Sequence, residues 1–139
     1  IGYPEENDND FKNTIDLIDK IRFINSYSFI FSSRPGTVAA DLELVDKNKS
    51  KKRLEIIQKK LFDNQIKKNK SLEHTIVKVL VENRMKDGIK LFGRTEYMTS
   101  VIFEGSLENI GKIVEVKITG SNQNSLFGEL NKDYKKKVA

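Results

Sequence analysis

Five short apolar-rich runs recur between His74 and Leu130, and no other feature limits the fold as tightly. They are Thr75–Val81, Ile89–Phe92, Ser100–Phe103, Lys112–Thr119 and Ser125–Leu130. In the fourth run Ile113, Val114, Val116 and Ile118 are apolar while Lys112, Glu115, Lys117 and Thr119 are polar. That is nearly the period-2 alternation of a half-buried strand. Lys86-Asp87-Gly88, Glu104-Gly105-Ser106 and Gly120-Ser121-Asn122 separate the runs, and their glycines and Asx residues suit tight turns. About five short strands at this spacing predict a small antiparallel β-barrel, since closure removes the edges an open sheet would expose.

The charge is divided along the chain. Residues 1–45 carry a net −4 and residues 46–139 a net +9, which together make the overall +5. An excess of lysine in the second part suits an anionic partner. Nucleic acid fits better than a membrane surface, because no strongly apolar amphipathic face accompanies the lysines. The plain alternative is a lysine-rich surface that keeps the chain in solution. No apolar run approaches the ~20 residues that span a bilayer, and no membrane partner is expected. There is no cysteine and only one histidine, His74. A disulfide, a thiolate nucleophile, a cysteine-ligated cluster and a multi-histidine metal site are therefore excluded from these residues.

Ahead of the predicted barrel, Ile1-Gly2-Tyr3 reads as the tail of a strand that begins earlier. Pro4 turns the chain into the acidic, Asx-rich stretch Glu5–Asp10, suited to a helix N-terminus. Phe11, Ile15, Leu17, Ile18, Ile21 and Ile24 then mark an amphipathic helix of three to four turns. Tyr27–Phe31 is an aromatic, β-branched run of the kind expected of a strand buried on both faces. Strand, helix and strand make a βαβ crossover, which cannot bury itself alone. The first part thus reads as the end of a larger α/β domain, with apolar surface near Ile15, Ile18, Phe29 and Phe31 left over. Ser32–Thr37 is the loop after the second strand. Arg34 could grip a carboxylate or phosphate there, or Pro35-Gly36 could simply be a turn. Val38–Leu44 suggests a short helical turn. A lysine-rich helix runs from Asp46 to about Asn69 on a thin stripe of Leu54, Ile57, Leu61 and Ile66, with Asn64–Lys70 as a possible linker. Its lysines form a solvated face or a ridge that meets a phosphate backbone.

Several strings, taken in order, resemble a known family. Gly2–Phe11 is similar to the G-F-P-G-E-T-x-x-D-F segment of radical S-adenosylmethionine methylthiotransferases. Tyr27–Ala40 resembles their Y-S-x-R-P-G-T-x-A-A stretch, and Arg53-Leu54 their following R-L. Gly93-Arg94-Thr95, Val101–Gly105, Ile110-Gly111 and Ser125–Glu129 resemble the small RNA-binding barrel called TRAM. Glu5 and Asn7 depart from the pattern, which has glycine and threonine there. Arg34-Pro35-Gly36-Thr37 favours the tRNA-modifying MiaB type. The resemblance implies a cytoplasmic parent enzyme that methylthiolates C2 of N6-isopentenyladenosine beside the anticodon, using S-adenosylmethionine and two [4Fe-4S] clusters. It implies that this chain is a C-terminal part of that enzyme, inactive alone because the cluster cysteines lie elsewhere and holding no cofactor by itself. Its partners would be the anticodon stem-loop of tRNA and the enzyme's remaining N-terminal domains.

The expected class is α+β. A βαβ remnant of a radical barrel with a trailing helix fills residues 1–70, an OB-like TRAM barrel residues 71–131 and a basic tail residues 132–139. By resemblance, Tyr3, Pro4, Glu6 and Arg34 fall on the cofactor side. On the RNA side, Arg94 carries a planar fork suited to phosphate, and its neighbour Gly93 allows close backbone approach. Thr95, Lys78, Lys90 and Lys112 lie within or beside the predicted strands, and Tyr97 in a polar loop is the stacking candidate. Phe92 and Phe103 are assigned to the barrel core. Leu126 competes with Phe127 for the inward position. A self-contained basic nucleic-acid-binding or scaffold protein without catalysis is the alternative reading.

Overall fold

The computed structural model describes residues 1–131, so the expected basic tail lies outside the described residues. Two compact units divide the chain after Gln65. Helix α1 (Asp8–Ile21) starts on a capping box. The Asn7 side chain accepts from the amides of Asn9 and Asp10, and the Asp10 carboxylate accepts from the Asn7 amide. The acidic stretch thus caps the helix, as its composition implies. Helix α2 (Lys47–Ser71) opens where the Asp46 carboxylate takes the Lys49 amide. It runs without interruption through Asn64–Lys70, which is helical rather than a linker. Leucine, lysine and glutamine are strong helix formers, and no glycine or proline interrupts them.

In the first unit, Ile18 of α1 packs on Ile57 and Leu61 of α2, with Ile1 and Phe11 against them. Beneath this cluster Arg53 is 3% exposed. Its guanidinium donates to the Glu6 carbonyl at 3.0 Å, the Glu6 carboxylate at 2.6 Å and the Asp8 carboxylate at 2.6 Å. It also sits 5.1 Å from the centroid of the Phe11 ring. A buried cation needs this many acceptors, so Arg53 ties the first loop to α2.

The βαβ expectation is met only in outline. No strand forms in residues 1–65; a single bridge remains, where the Ile1 amine donates to the Phe29 carbonyl at 2.9 Å and the Phe31 amide to the Ile1 carbonyl at 2.8 Å. One residue bonding to the two neighbours of its opposite number is the parallel pattern. Tyr27 and Phe29 are 91% and 72% exposed, contrary to burial on both faces. A strand buries both faces only inside a sheet covered on its two sides, and residues 1–65 form no sheet. Of the short helical turn expected over Val38–Leu44, only Val38–Ala40 forms.

All five apolar runs of the second unit are strands: β1 (Ile76–Arg84), β2 (Lys90–Thr95), β3 (Ser100–Glu104), β4 (Ile113–Ser121) and β5 (Ser125–Leu130). They close in the order β1-β2-β3-β5-β4. Every pairing is antiparallel except β3 with β5. The all-antiparallel expectation therefore fails at one seam. A ring with an odd number of strands cannot alternate direction all the way round. Val79, Val81, Leu91, Val101, Phe103, Val114, Val116, Ile118 and Leu126 fill the interior. The last turn of the hairpin between β4 and β5 falls at Asn122, whose side chain accepts from the amides of Asn124 and Ser125. Gly120 and Ser121 belong to β4.

Candidate nucleic-acid interface

Alternation decides which barrel side chains face out. On β2, Leu91, Gly93 and Thr95 are buried while Lys90, Phe92 and Arg94 point away from the core. On β3, Val101 and Phe103 are buried, leaving Ile102 outside; on β5, Leu126 is buried and Phe127 outside. The register places Phe92 opposite Ile102 and Ile102 opposite Phe127. An apolar band thus crosses three adjacent strands. It is roughly 10 Å wide at ~4.8 Å per strand, enough to carry a stacked base. The Arg94 guanidinium lies over the Phe92 ring, 5.5 Å from its centroid, and reaches Glu82 at 3.4 Å.

The rows on either side differ in charge. Toward one end, Arg94, Ser100 and Ser125 are cross-strand neighbours and offer a guanidinium and two hydroxyls. Toward the other, Lys90, Glu104, Glu129 and Lys117 line up in register. Two adjacent carboxylates in the middle of that row repel a phosphate backbone, so the Arg94 side is the better place for one.

The residues expected to bind RNA do not all gather here. Arg94 and Lys90 border the band. Lys78 lies on β1 opposite Glu115 of β4, across the ring from β3, and Lys112 is exposed just before β4. Tyr97 is 60% exposed in the loop after β2. Thr95 is buried, and its hydroxyl accepts from the amides of Tyr97 and Thr99, so it shapes the turn and is not offered to a ligand. A Cβ on Gly93 would come within 2.4 Å of the Leu80 carbonyl. The close approach that glycine permits is to the neighbouring strand. Phe103 is core as expected, but Phe92 is not, and Phe127 faces out. Parity would have shown this: with Leu91 large and inward, Phe92 must point outward.

The cofactor-side candidates separate as well. Pro4 is buried, and Glu6 is spent on Arg53 and on the Gly2 amide at 2.8 Å. Tyr3 meets Phe31 edge-on at 5.0 Å and is 54% exposed. Arg34 is exposed; its carbonyl accepts from the amide and hydroxyl of Thr37 across Pro35-Gly36, with Gly36 at φ 79°. The geometry is that of a turn needing glycine at its third position. With no cysteine in the chain, and no cluster of three His, Asp or Glu side chains able to hold a metal among the described residues, nothing here fits an iron–sulfur cluster.

Residues 70–130 match the TRAM domain family. Over all 139 residues the chain is 75% identical to the tRNA-2-methylthio-N(6)-dimethylallyladenosine synthase of Pelagibacter ubique (strain HTCC1062). Over its whole length this chain is thus similar to part of a methylthiotransferase. Proteins of that name from Ruthia magnifica and Rickettsia akari are 47% and 38% identical over 131 and 132 residues, 94% of this chain in each case. The chain spans about three-tenths of their length, 31% of the Pelagibacter ubique protein and 30% of the other two. The aromatic band and Arg94 therefore sit on the TRAM domain, and Arg53 and Arg34 precede it.

Proposed function

We propose that this chain is the RNA-holding, C-terminal part of an enzyme that methylthiolates N6-isopentenyladenosine next to a tRNA anticodon. The outward band Phe92–Ile102–Phe127, with Arg94 over its edge, carries the proposal. Every base has a face that stacks on an aromatic ring, and an arginine beside it meets the adjoining phosphate. Bases lie over the band while the backbone passes along Arg94, Ser100 and Ser125, away from Glu104 and Glu129. Tyr97, in the loop after β2, lies toward this path, and Lys90 lies in the opposite row beside Glu104. Lys78 and Lys112, on the far side of the ring, contribute only if RNA wraps the barrel. The chemistry belongs to the rest of the enzyme, where S-adenosylmethionine and the clusters would be held. On this chain's side, Arg34 and Tyr3 are the expected residues with exposed side chains, and Arg34 could take the cofactor's carboxylate.

The test is binding of the 139-residue chain to an unmodified anticodon stem-loop by fluorescence anisotropy. F92A and F127A should each weaken binding by about 1–3 kcal/mol, the worth of one stacked base. R94A should weaken it by about 1–2 kcal/mol. All three positions lie outside the core, so circular dichroism should stay unchanged. Folded variants that bind like the parent would remove the band from the RNA site.

A further inference from the structure

The barrel that carries the aromatic band is not itself basic. Residues 71–131 hold seven Lys/Arg and eight Asp/Glu, a net −1. Helix α2 holds nine lysines and one arginine against Glu55 and Asp63, a net +8 in 25 residues. RNA binding in water rests mainly on neutralised phosphates, and beyond the local contact of Arg94 the barrel's net charge supplies no overall attraction for them. Among the described residues, three of the helix's ten cations form ion pairs. Lys49 pairs with Asp8, Lys60 with Asp19, and Arg53 with Glu6 and Asp8. Lys47, Lys51, Lys52, Lys59, Lys67, Lys68 and Lys70 form no ion pair among the described residues.

At 100° per residue, Lys52 and Lys59 lie about 20° apart around the helix axis. Both are exposed, on the side away from the buried Arg53, Ile57 and Leu61. The partly exposed apolar residues of α2, Ile56, Phe62 and Ile66, are too few and too scattered for the wide apolar face that a membrane-lying helix needs. We propose that this face of α2 is a phosphate-contacting ridge for the same RNA. The strands would then supply base stacking and the helix the salt-dependent attraction. The inference rests on the RNA-binding reading above.

A salt titration separates the two. The parent chain and the K52Q/K59Q variant are titrated with the stem-loop between 50 and 300 mM salt. Glutamine keeps helix propensity at these exposed sites, and circular dichroism verifies the fold. If the ridge holds phosphates, the slope of log affinity against log salt should become shallower by about 1 to 2, at ~0.7–0.9 per phosphate. F92A should lose affinity with its slope unchanged. A variant slope equal to the parent's, with RNA still bound, would overturn the ridge and leave the stacking site standing. Absence of RNA binding by the parent would overturn both. Binding instead to vesicles of anionic lipid, reduced in the double variant, would reassign the ridge to a membrane surface and likewise overturn the proposal.

Discussion

Two inward glycines set how tightly the barrel closes. A Cβ on Gly93 would lie 2.4 Å from the Leu80 carbonyl and 2.6 Å from Val79 Cγ1; one on Gly128 would lie 2.5 Å from the Lys117 carbonyl and 2.6 Å from Val116 Cγ1. In both cases the obstacle includes the backbone of a paired strand, which cannot swing aside. G128A should therefore destabilise the second unit by about 1–3 kcal/mol, as overpacking does, read as a fall in Tm by differential scanning calorimetry. An unchanged Tm would mean that β4 and β5 can separate locally without loss. At the same scale, outward Phe92 and inward Phe103 show why residue type alone does not place an aromatic. Both are phenylalanines in strands, and only their parity against Leu91 and Val101 distinguishes them.

Among the elements, the end of α2 and the hairpin joining β4 to β5 are held by one side chain. Asn69 is 1% exposed, and its amide donates to the carbonyls of Asn122 at 2.9 Å and Gln123 at 3.0 Å. N69A would leave two carbonyls short of a donor in a partly buried place, at about 1–3 kcal/mol. Amide hydrogen exchange should rise first at Asn124 and Ser125, whose amides depend on the Asn122 turn. Uniform acceleration across all five strands would show that the clamp supports the whole barrel and not the hairpin alone. The expected linker at Asn64–Lys70 conceals this role. Polar residues near a domain boundary suggest a loop, yet here helix propensity prevails and Asn69 supplies a contact that a flexible linker could not.

On the scale of the whole molecule, acid acts on both units in one direction. Hydrogen bonds from Lys49 and then Arg53 hold the Asp8 carboxyl below its ordinary value of 3.8. The amides of Lys90 and Ile89 do the same for Asp87 in the turn before β2. A carboxyl whose folded value is depressed adds stability that is complete above the unfolded value and disappears as pH falls through the folded one. Tm should thus hold steady from pH 7 to about 5 and fall below about 3.8. D8N should melt lower than the parent at pH 6, and the difference should shrink by pH 2. A difference independent of pH would assign Asp8 a role in packing and not in charge.

By itself the sequence determined the five strands, the capped first helix, the long basic helix, the family resemblance and the exclusion of cluster chemistry from this chain. Each follows from local information: period-2 alternation, turn residues, helix formers, capping side chains and the absence of cysteine. Ring closure required the parallel β3–β5 seam. Register across three strands gathered Phe92, Ile102 and Phe127 into one band and sent Lys78 and Lys112 to the other side. Burial turned Thr95 inward and engaged Glu6 with Arg53. These depend on residues far apart in the chain meeting in space, and only the tertiary structure decided them.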